Sequence, residues 1–263
     1  AKNFHTPPLD LPICEAGHPD ITADAITKRI GITRAHMEED AGKLVHSGKS
    51  ITSSDSSNID YNRTGVPLLE IVSEPDLRSS EEAKAYVEEL KKILTYIDVS
   101  DCKMEEGSLR ADANVSVRLK GSQTLGTRTE TKNLNSLKNL QKAIEYEISR
   151  QIQVLEEGGE IIQETRTWDE EHGMTHAMRS KADAHDYRYF PEPDLPPIIL
   201  TEEYIQKIRE SLPELPVARK KRLMEEDGLS AYDADLIIAE RFLGDLYDAI
   251  RRKIQDPKSI VNL

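Results

Sequence analysis

The sequence predicts an α+β fold, in which a domain of mixed and antiparallel sheet with packed helices is followed by the beginning of an all-helical domain. Three observations lead to this prediction. Residues 108–119 alternate strictly between apolar and polar side chains, residues 137–155 repeat apolar side chains at helical spacing, and helical patterns alone follow residue 200. Because strands and helices do not alternate regularly before that point, a layered α+β domain fits better than a doubly wound sheet.

The first predicted strands carry acidic side chains. Residues 28–40 read as a strand with Ile30 and Ile32 on one face, and this strand runs directly into an acidic segment. Residues 66–73 form a second, nearly continuous apolar strand that Glu70 alone interrupts. We therefore expect two strands that deliver carboxylates to one region.

A helix follows these strands. Ser79 and Glu82 have the spacing of a capping box, in which the serine side chain caps the helix start. Apolar side chains then recur at helical spacing from Ala83 to Ile97. This pattern predicts an amphipathic helix that begins next to Ser79.

Residues 108–119 and 127–132 predict an antiparallel hairpin, with a turn at residues 121–126. One face of the first strand is aliphatic. The other face carries Arg110, Asp112, Asn114, Ser116 and Arg118, and the second strand adds Arg128, Glu130 and Lys132. Such a charged row is either a solvated sheet face or the floor of a binding site.

The remaining elements complete the first domain and begin a second. A long amphipathic helix over 137–155 ends at Gly158 and Gly159, and residues 163–168 and 175–179 suggest two further strands. Helices are expected over 202–211, 216–227 and 231–254. We place the boundary near residue 200, which gives domains 1–200 and 201–263.

Composition restricts the functional class. The chain has 263 residues and a net charge of −13, which argues against non-specific attraction to nucleic acid. Its two cysteines favour reduced thiols in a cytoplasmic protein over a disulfide framework. No apolar run approaches the roughly 18 residues that a membrane span requires, so we expect no membrane partner. The negative net charge leads us to expect no DNA partner either.

The acidic segment is the first candidate site. His36, Glu38, Glu39 and Asp40 offer four ligand side chains within five residues, and Glu70 lies among Leu68, Leu69, Ile71 and Val72. A solvated acidic turn is the simpler interpretation of the cluster. Glu70, however, needs an arginine or a divalent cation as partner, because a carboxylate is costly to bury alone. Oxygen ligands of this kind suit Mg²⁺.

Other signals are weaker. Residues 186–194 concentrate tyrosine, phenylalanine, arginine and proline, which fits either a packed loop or a surface that stacks on an unpaired nucleotide. The sequence contains neither a Walker A motif nor a Gly-x-Gly-x-x-Gly motif, so ATP, if bound, uses another kind of loop. This absence disfavours an unrelated carboxylate–amine ligase.

Six motifs occur in this order: RAHMEEDAGK, DYNRTGVPLLEIVSEPDLRS, DCKMEEGSLRADANVSVR, TRTETKNLNS, QETRTW and DYRYFPEPDLPP. Together they closely resemble the B-subunit family of aspartyl/glutamyl-tRNA amidotransferases. The resemblance implies an ATP- and Mg²⁺-dependent subunit that phosphorylates the side-chain carboxylate of a misacylated tRNA. Ammonia from the amidase A subunit then displaces the phosphate, within a complex that also holds a small C subunit.

The resemblance also implies site residues. Glu39 and Glu70 match the family's metal ligands, and Asp112 is a weaker candidate for the catalytic site. Independently of the resemblance, Arg110 and Lys132 of the charged row are candidates for binding the cofactor and the acceptor end of tRNA. The family's cradle domain is expected to be incomplete at its N-terminus here, and its helical domain incomplete at its C-terminus. The alternative is a non-catalytic module that docks tRNA or partner subunits and whose acidic clusters are structural.

Overall fold

The computed structural model of the protein describes residues 12–40, 42–46, 56–178 and 199–262. It has the mixed α+β composition that the sequence predicts. The chain forms two compact units, each assembled from separate stretches of sequence. Of the described residues, the first unit contains 12–20, 29–40, 42–46, 56–77 and 199, and the second contains 21–28, 78–178 and 200–262.

The secondary structure alternates irregularly between strands and helices. The strands are β1 (Cys14–Gly17), β2 (Asp20–Ala23), β3 (Ile26–Arg29), β4 (Ile32–Glu39), β5 (Lys43–His46), β6 (Ser57–Asp60), β7 (Pro67–Ser73), β8 (Ala111–Val115), β9 (Thr129–Leu134), β10 (Thr165–Asp169) and β11 (Met174–Ala177). The helices are α1 (Ser80–Tyr96), α2 (Leu137–Glu156), α3 (Glu202–Ser211), α4 (Pro216–Glu225), α5 (Ala231–Ile237), α6 (Arg241–Arg251) and α7 (Pro257–Val261).

The first unit is built on an antiparallel sheet of β1, β4 and β7, with β4 in the centre. The strand expected over residues 28–40 is divided into β3 and β4 at Ile30 and Gly31. Ile30 is fully buried and donates its N–H to the carbonyl of Pro19, and Gly31 donates its N–H to the Asp76 carboxylate. These bonds take the backbone out of the sheet ladder, and that is why the strand breaks there.

The second unit contains a four-stranded sheet in the order β11, β10, β9, β8. The predicted hairpin is confirmed, since β8 and β9 are antiparallel and Ala113 lies opposite Thr131. The first strand of this hairpin is shorter than the predicted 108–119, since β8 ends at Val115. Leu119 lies beyond it and is 85% exposed. The face of β8 and β9 that carries Ala113, Val115 and Thr129 is buried, so the predicted facing of the charged row is correct.

Helices α1 and α2 begin where the sequence predicts. Ser79 accepts the N–H of Glu82, and Ser136 accepts the N–H of Asn139, each at 3.1 Å. Helix α2 is followed by Gly158, whose φ of +79° lies in the left-handed region that favours glycine. Local signals therefore set both ends of α2.

Five helices follow residue 200 in the part of the chain that the structure describes. The long helix expected over 231–254 is divided into α5 and α6, because Glu240 has an extended backbone and acts as the N-cap of α6. A buried cluster of aliphatic side chains and Tyr247 joins these helices, and Tyr96 of α1 belongs to it. The domain boundary near residue 200 stays a prediction.

Two features lie outside this description. The aromatic segment at residues 186–194 and the serine-rich sequence at residues 50–55 fall outside the described residues. In the described ranges, no helix combines the length and apolar character that crossing a membrane requires.

Candidate functional site

The candidate site lies on the central strand β4 and its neighbour β7. His36 on β4 is directly opposite Glu70 on β7 in the antiparallel register. Glu38 follows His36 by two residues, so strand alternation places both side chains on the same face. The ladder thus brings together one imidazole and two carboxylates.

The three side chains are in direct contact. His36 Nε2 lies 3.0 Å from Glu38 Oε1 and 3.0 Å from Glu70 Oε2. One ligand atom from each residue can be chosen so that all lie within 4.8 Å of one another, and no other group of three histidine, cysteine or acidic side chains does so among the described residues. The arrangement has the dimensions of a metal-binding site.

The electrostatics of the cluster favour a positive partner. Burial raises the pKa of Glu70, and a hydrogen bond with Glu38 raises it further, while the charges of His36 and Arg34 oppose this shift. A carboxylate pair with a raised pKa holds a proton more readily than an isolated glutamate does. A divalent cation bound here would displace that proton and remove the repulsion between the carboxylates.

The residues present fit a divalent cation. Two carboxylates supply the hard oxygen ligands that Mg²⁺ and Mn²⁺ prefer, and imidazole is a common ligand of transition metals such as Mn²⁺. His36 Nδ1 is buried and forms no hydrogen bond in the described part of the chain. The ring nitrogen that faces both carboxylates, and that would face a bound cation, is Nε2.

The structure changes which glutamate faces Glu70. The sequence predicts Glu39 as its partner, but Glu39 lies opposite Pro67 and belongs to the other face of β4 by alternation. A Cβ placed on Gly65 would lie 3.3 Å from Glu39 Oε1, which locates this carboxylate beside Gly65. The carboxylate in the cluster is therefore Glu38, while a ligand role for Glu39 stays a prediction.

The reason is the period of the strand. A shift of one residue in the register turns every side chain to the opposite face. Glu38 and Glu39 are adjacent in the sequence, so choosing between them requires the pairing of β4 with β7. The spacing of His36 and Glu38, two residues apart on a predicted strand, was the available signal.

The charged row on β8 and β9 is held together by ion pairs within the second unit. Lys132 Nζ lies 2.6 Å from Asp112 Oδ2 on the neighbouring strand β8 and 3.3 Å from Glu130 Oε1 on its own strand β9. Burial alone would lower the pKa of Lys132, but its hydrogen bond to Asp112 raises it above its ordinary value. Arg110 precedes β8 and is exposed. The structure thus joins Asp112 and Lys132, and their roles in binding or catalysis stay predictions.

Comparison with known proteins gives a consistent result. The sequence profile of the GatB/GatE catalytic domain matches residues 1–206. The B subunit of the aspartyl/glutamyl-tRNA(Asn/Gln) amidotransferase of Carboxydothermus hydrogenoformans is 58% identical over 261 residues, which are 99% of this chain and 54% of the relative.

Two further relatives carry the same name. The protein from Moorella thermoacetica is 57% identical over 266 residues, and that from Caldanaerobacter subterraneus is 54% identical over 261 residues. In both cases the alignment covers 99% of this chain and 54% of the relative. The chain thus spans about half the length of the curated relatives that it matches.

Proposed function

Because the chain belongs to the GatB/GatE catalytic domain family, we propose that it is the catalytic part of the B subunit of a tRNA-dependent amidotransferase. The substrates are glutamyl-tRNA(Gln) or aspartyl-tRNA(Asn), and the products are glutaminyl- or asparaginyl-tRNA. The contact of His36, Glu38 and Glu70 supports this proposal, because these side chains on one face of a sheet could hold a divalent cation.

The reaction has two chemical steps. A side-chain carboxylate oxygen of the misacylated residue attacks the γ-phosphorus of ATP, and ADP leaves. The nitrogen of ammonia then attacks the acyl carbon, phosphate leaves, and a proton is lost from the nitrogen to give the amide. Phosphoryl transfer of this kind depends mainly on positioning and charge neutralisation rather than on a protein nucleophile.

Mg²⁺ is the proposed cofactor beside ATP, with Glu38, Glu70 and His36 as the residues that would hold it. When bound, the ion would neutralise charge on the phosphate oxygens. The pairing of β4 with β7 holds these three ligand side chains next to one another. Glu39 and Asp112 are retained as proposed catalytic residues from their family motifs, and Arg110 and Lys132 as proposed binding residues from their place in the charged row.

The proposed partners are the amidase A subunit, the small C subunit and a misacylated tRNA, in the cytoplasm. The amidase would supply ammonia. Both cysteines are free thiols in the structure, one exposed and one buried. Free thiols are the state expected in a reducing compartment.

The test is an amidation assay. The full-length protein is combined with its A and C partners, ATP, glutamine and a misacylated tRNA, and the amidated aminoacyl-tRNA is measured. We expect Glu70→Gln to abolish amidation and the tRNA-dependent release of ADP, because the site loses a carboxylate. The matched control is Glu88→Gln on α1, a solvent-accessible glutamate outside the cluster. Full activity of Glu70→Gln would favour the docking module instead.

A further inference from the structure

Arg34 extends the row formed by His36 and Glu38. It lies on β4 two residues before His36, so alternation places its side chain on the face of the cluster. Its neighbours across the ladder are Val72 on β7 and Glu15 on β1. The sheet therefore presents arginine, histidine and glutamate side by side, with Glu70 across from the centre.

The Arg34 side chain has one buried donor, Nε, that no acceptor satisfies in the described part of the chain. The side chain also makes no ion pair within those residues. Glu15 lies opposite Arg34 but is exposed and does not pair with it. This contrasts with other arginines near β4, since Arg29 binds Asp20 and Arg63 binds Asp40.

An unsatisfied guanidinium nitrogen in a half-buried position is costly. A buried donor without an acceptor loses the hydrogen bonds that it makes with water, and a charged group loses more. Such a cost is recovered when an anion binds. Arg34 also acts on the cluster. Burial is the main cause that raises the pKa of Glu70, and the positive charge of Arg34 lowers this pKa.

We propose that Arg34 binds an oxyanion at the candidate site and that this oxyanion is a phosphoryl group of the nucleotide. This inference rests on the proposed function. The planar fork of arginine presents parallel N–H donors to two oxygens of a phosphate or a carboxylate. Phosphate is the better match here, because the neighbouring side chains of Glu38, His36 and Glu70 suit a divalent cation. Mg²⁺ sites commonly bridge carboxylates to phosphate oxygens.

The row then has a division of roles. The cation would be bound by Glu38, His36 and Glu70. Arg34 would bind the phosphate oxygens on the same face of the sheet. Without a positive group beside them, the two carboxylates would repel an incoming phosphate. Arg34 is thus a binding residue for the phosphoryl group, adjacent to the proposed cation ligands.

The experiment measures pyrophosphate binding to the 263-residue chain by calorimetry, with Mn²⁺ and, separately, with a chelator. We expect Arg34→Gln to weaken binding about tenfold or more in both conditions, as the loss of a charged hydrogen-bond partner implies. Arg34→Lys should restore part of the affinity because it keeps the charge without the fork. Arg29→Gln is the control, since Arg29 already pairs with Asp20. Acetate in place of pyrophosphate tests a carboxylate as the anion.

The outcomes separate this inference from the proposed function. Unchanged pyrophosphate affinity in folded Arg34→Gln, no pyrophosphate binding by the wild-type chain, or tighter binding of acetate than of pyrophosphate would each overturn the phosphate assignment. Loss of Mn²⁺ binding in Glu70→Gln would at the same time support the cation site. If Arg34→Gln does not fold, protection of wild-type Arg34 from phenylglyoxal by pyrophosphate, read by mass spectrometry, decides instead. Equal modification with and without pyrophosphate would overturn the inference.

Discussion

Glu147 is a fully buried carboxylate that the protein alone stabilises, whereas the Glu70 side chain is 47% exposed and is therefore less buried than its apolar neighbours in sequence predict. The Glu147 side chain accepts hydrogen bonds from Thr129 at 2.8 Å and from Arg150 at 3.0 Å, and it pairs with Arg166 at 3.0 Å. Burial alone would raise the pKa of Glu147, but the hydrogen bonds from Arg150, Thr175 and Thr129 lower it to about 2. This network fixes α2 to the inner face of the four-stranded sheet.

Glu147→Gln is expected to lower the free energy of unfolding at neutral pH by about 3 kcal/mol, since it leaves buried arginine charge uncompensated. The folded-state pKa is about 2 and the ordinary value is 4.5. Ionised Glu147 therefore stabilises fully above pH 4.5, and this contribution is lost as the pH falls toward 2. Urea unfolding at several pH values measures it.

The exposed Glu156→Gln on the same helix is the control and should change stability by less than about 0.5 kcal/mol. A Glu147→Gln variant as stable as the wild type at neutral pH would show that the network is not what holds α2.

At the residue scale, the sequence carried a signal for both acids, but only Glu70 was recognised from it. Glu70 was evident because it interrupts an apolar strand. Glu147 lies three residues after Ile144, on the apolar face of α2, and this position was a usable signal. Arg34 could not be recognised from its type alone, because whether an arginine is paired depends on which strands meet.

At the scale of elements, helices were more predictable than strands. Helices α1 and α2 carry their own start signals in Ser79 and Ser136. Strand β1 was not anticipated, since its existence depends on pairing with β4, and the short strands β5 and β6, which pair with each other, were not anticipated either. The division of β3 from β4 also depends on a contact outside the strand, because the acceptor for Ile30 is Pro19.

Ser136→Ala tests this account of helix α2. Removing the side chain that accepts the N–H of Asn139 should lower the free energy of unfolding by about 1 kcal/mol. Ser149→Ala is the control, because Ser149 is exposed in the middle of α2 and bonds only the carbonyl of Glu145. Equal effects of the two changes in thermal unfolding would contradict the capping role of Ser136.

At the scale of the whole molecule, the fold class followed from the order of elements, but the division into units did not. The first unit joins residues 29–77 to segments on either side of them, so no contiguous stretch of sequence marks it. A pattern read along the chain detects boundaries between neighbours in sequence. It does not detect that residues 21–28 group with residues after 77.

The net charge makes a prediction at this scale. With a charge of −13, the isolated chain should bind tRNA weakly at physiological salt, since non-specific affinity comes from neutralising phosphates with lysine and arginine. The lysine of the charged row is already paired with Asp112. Filter binding measures the affinity, and a dissociation constant below about 1 μM, in the range of specific rather than non-specific complexes, would contradict the prediction.

The most direct test of the central claim is the affinity of the chain for Mn²⁺, measured by electron paramagnetic resonance as a function of pH. The wild-type chain should bind more tightly as the pH rises, because the raised pKa of Glu70 means that a proton must leave before the cation binds. Glu70→Gln and Glu38→Gln should each weaken binding about tenfold or more, because each removes a charged ligand. Glu88→Gln should leave it unchanged. Mn²⁺ binding in Glu70→Gln equal to that of the wild type would contradict the claim that these strands form a cation site.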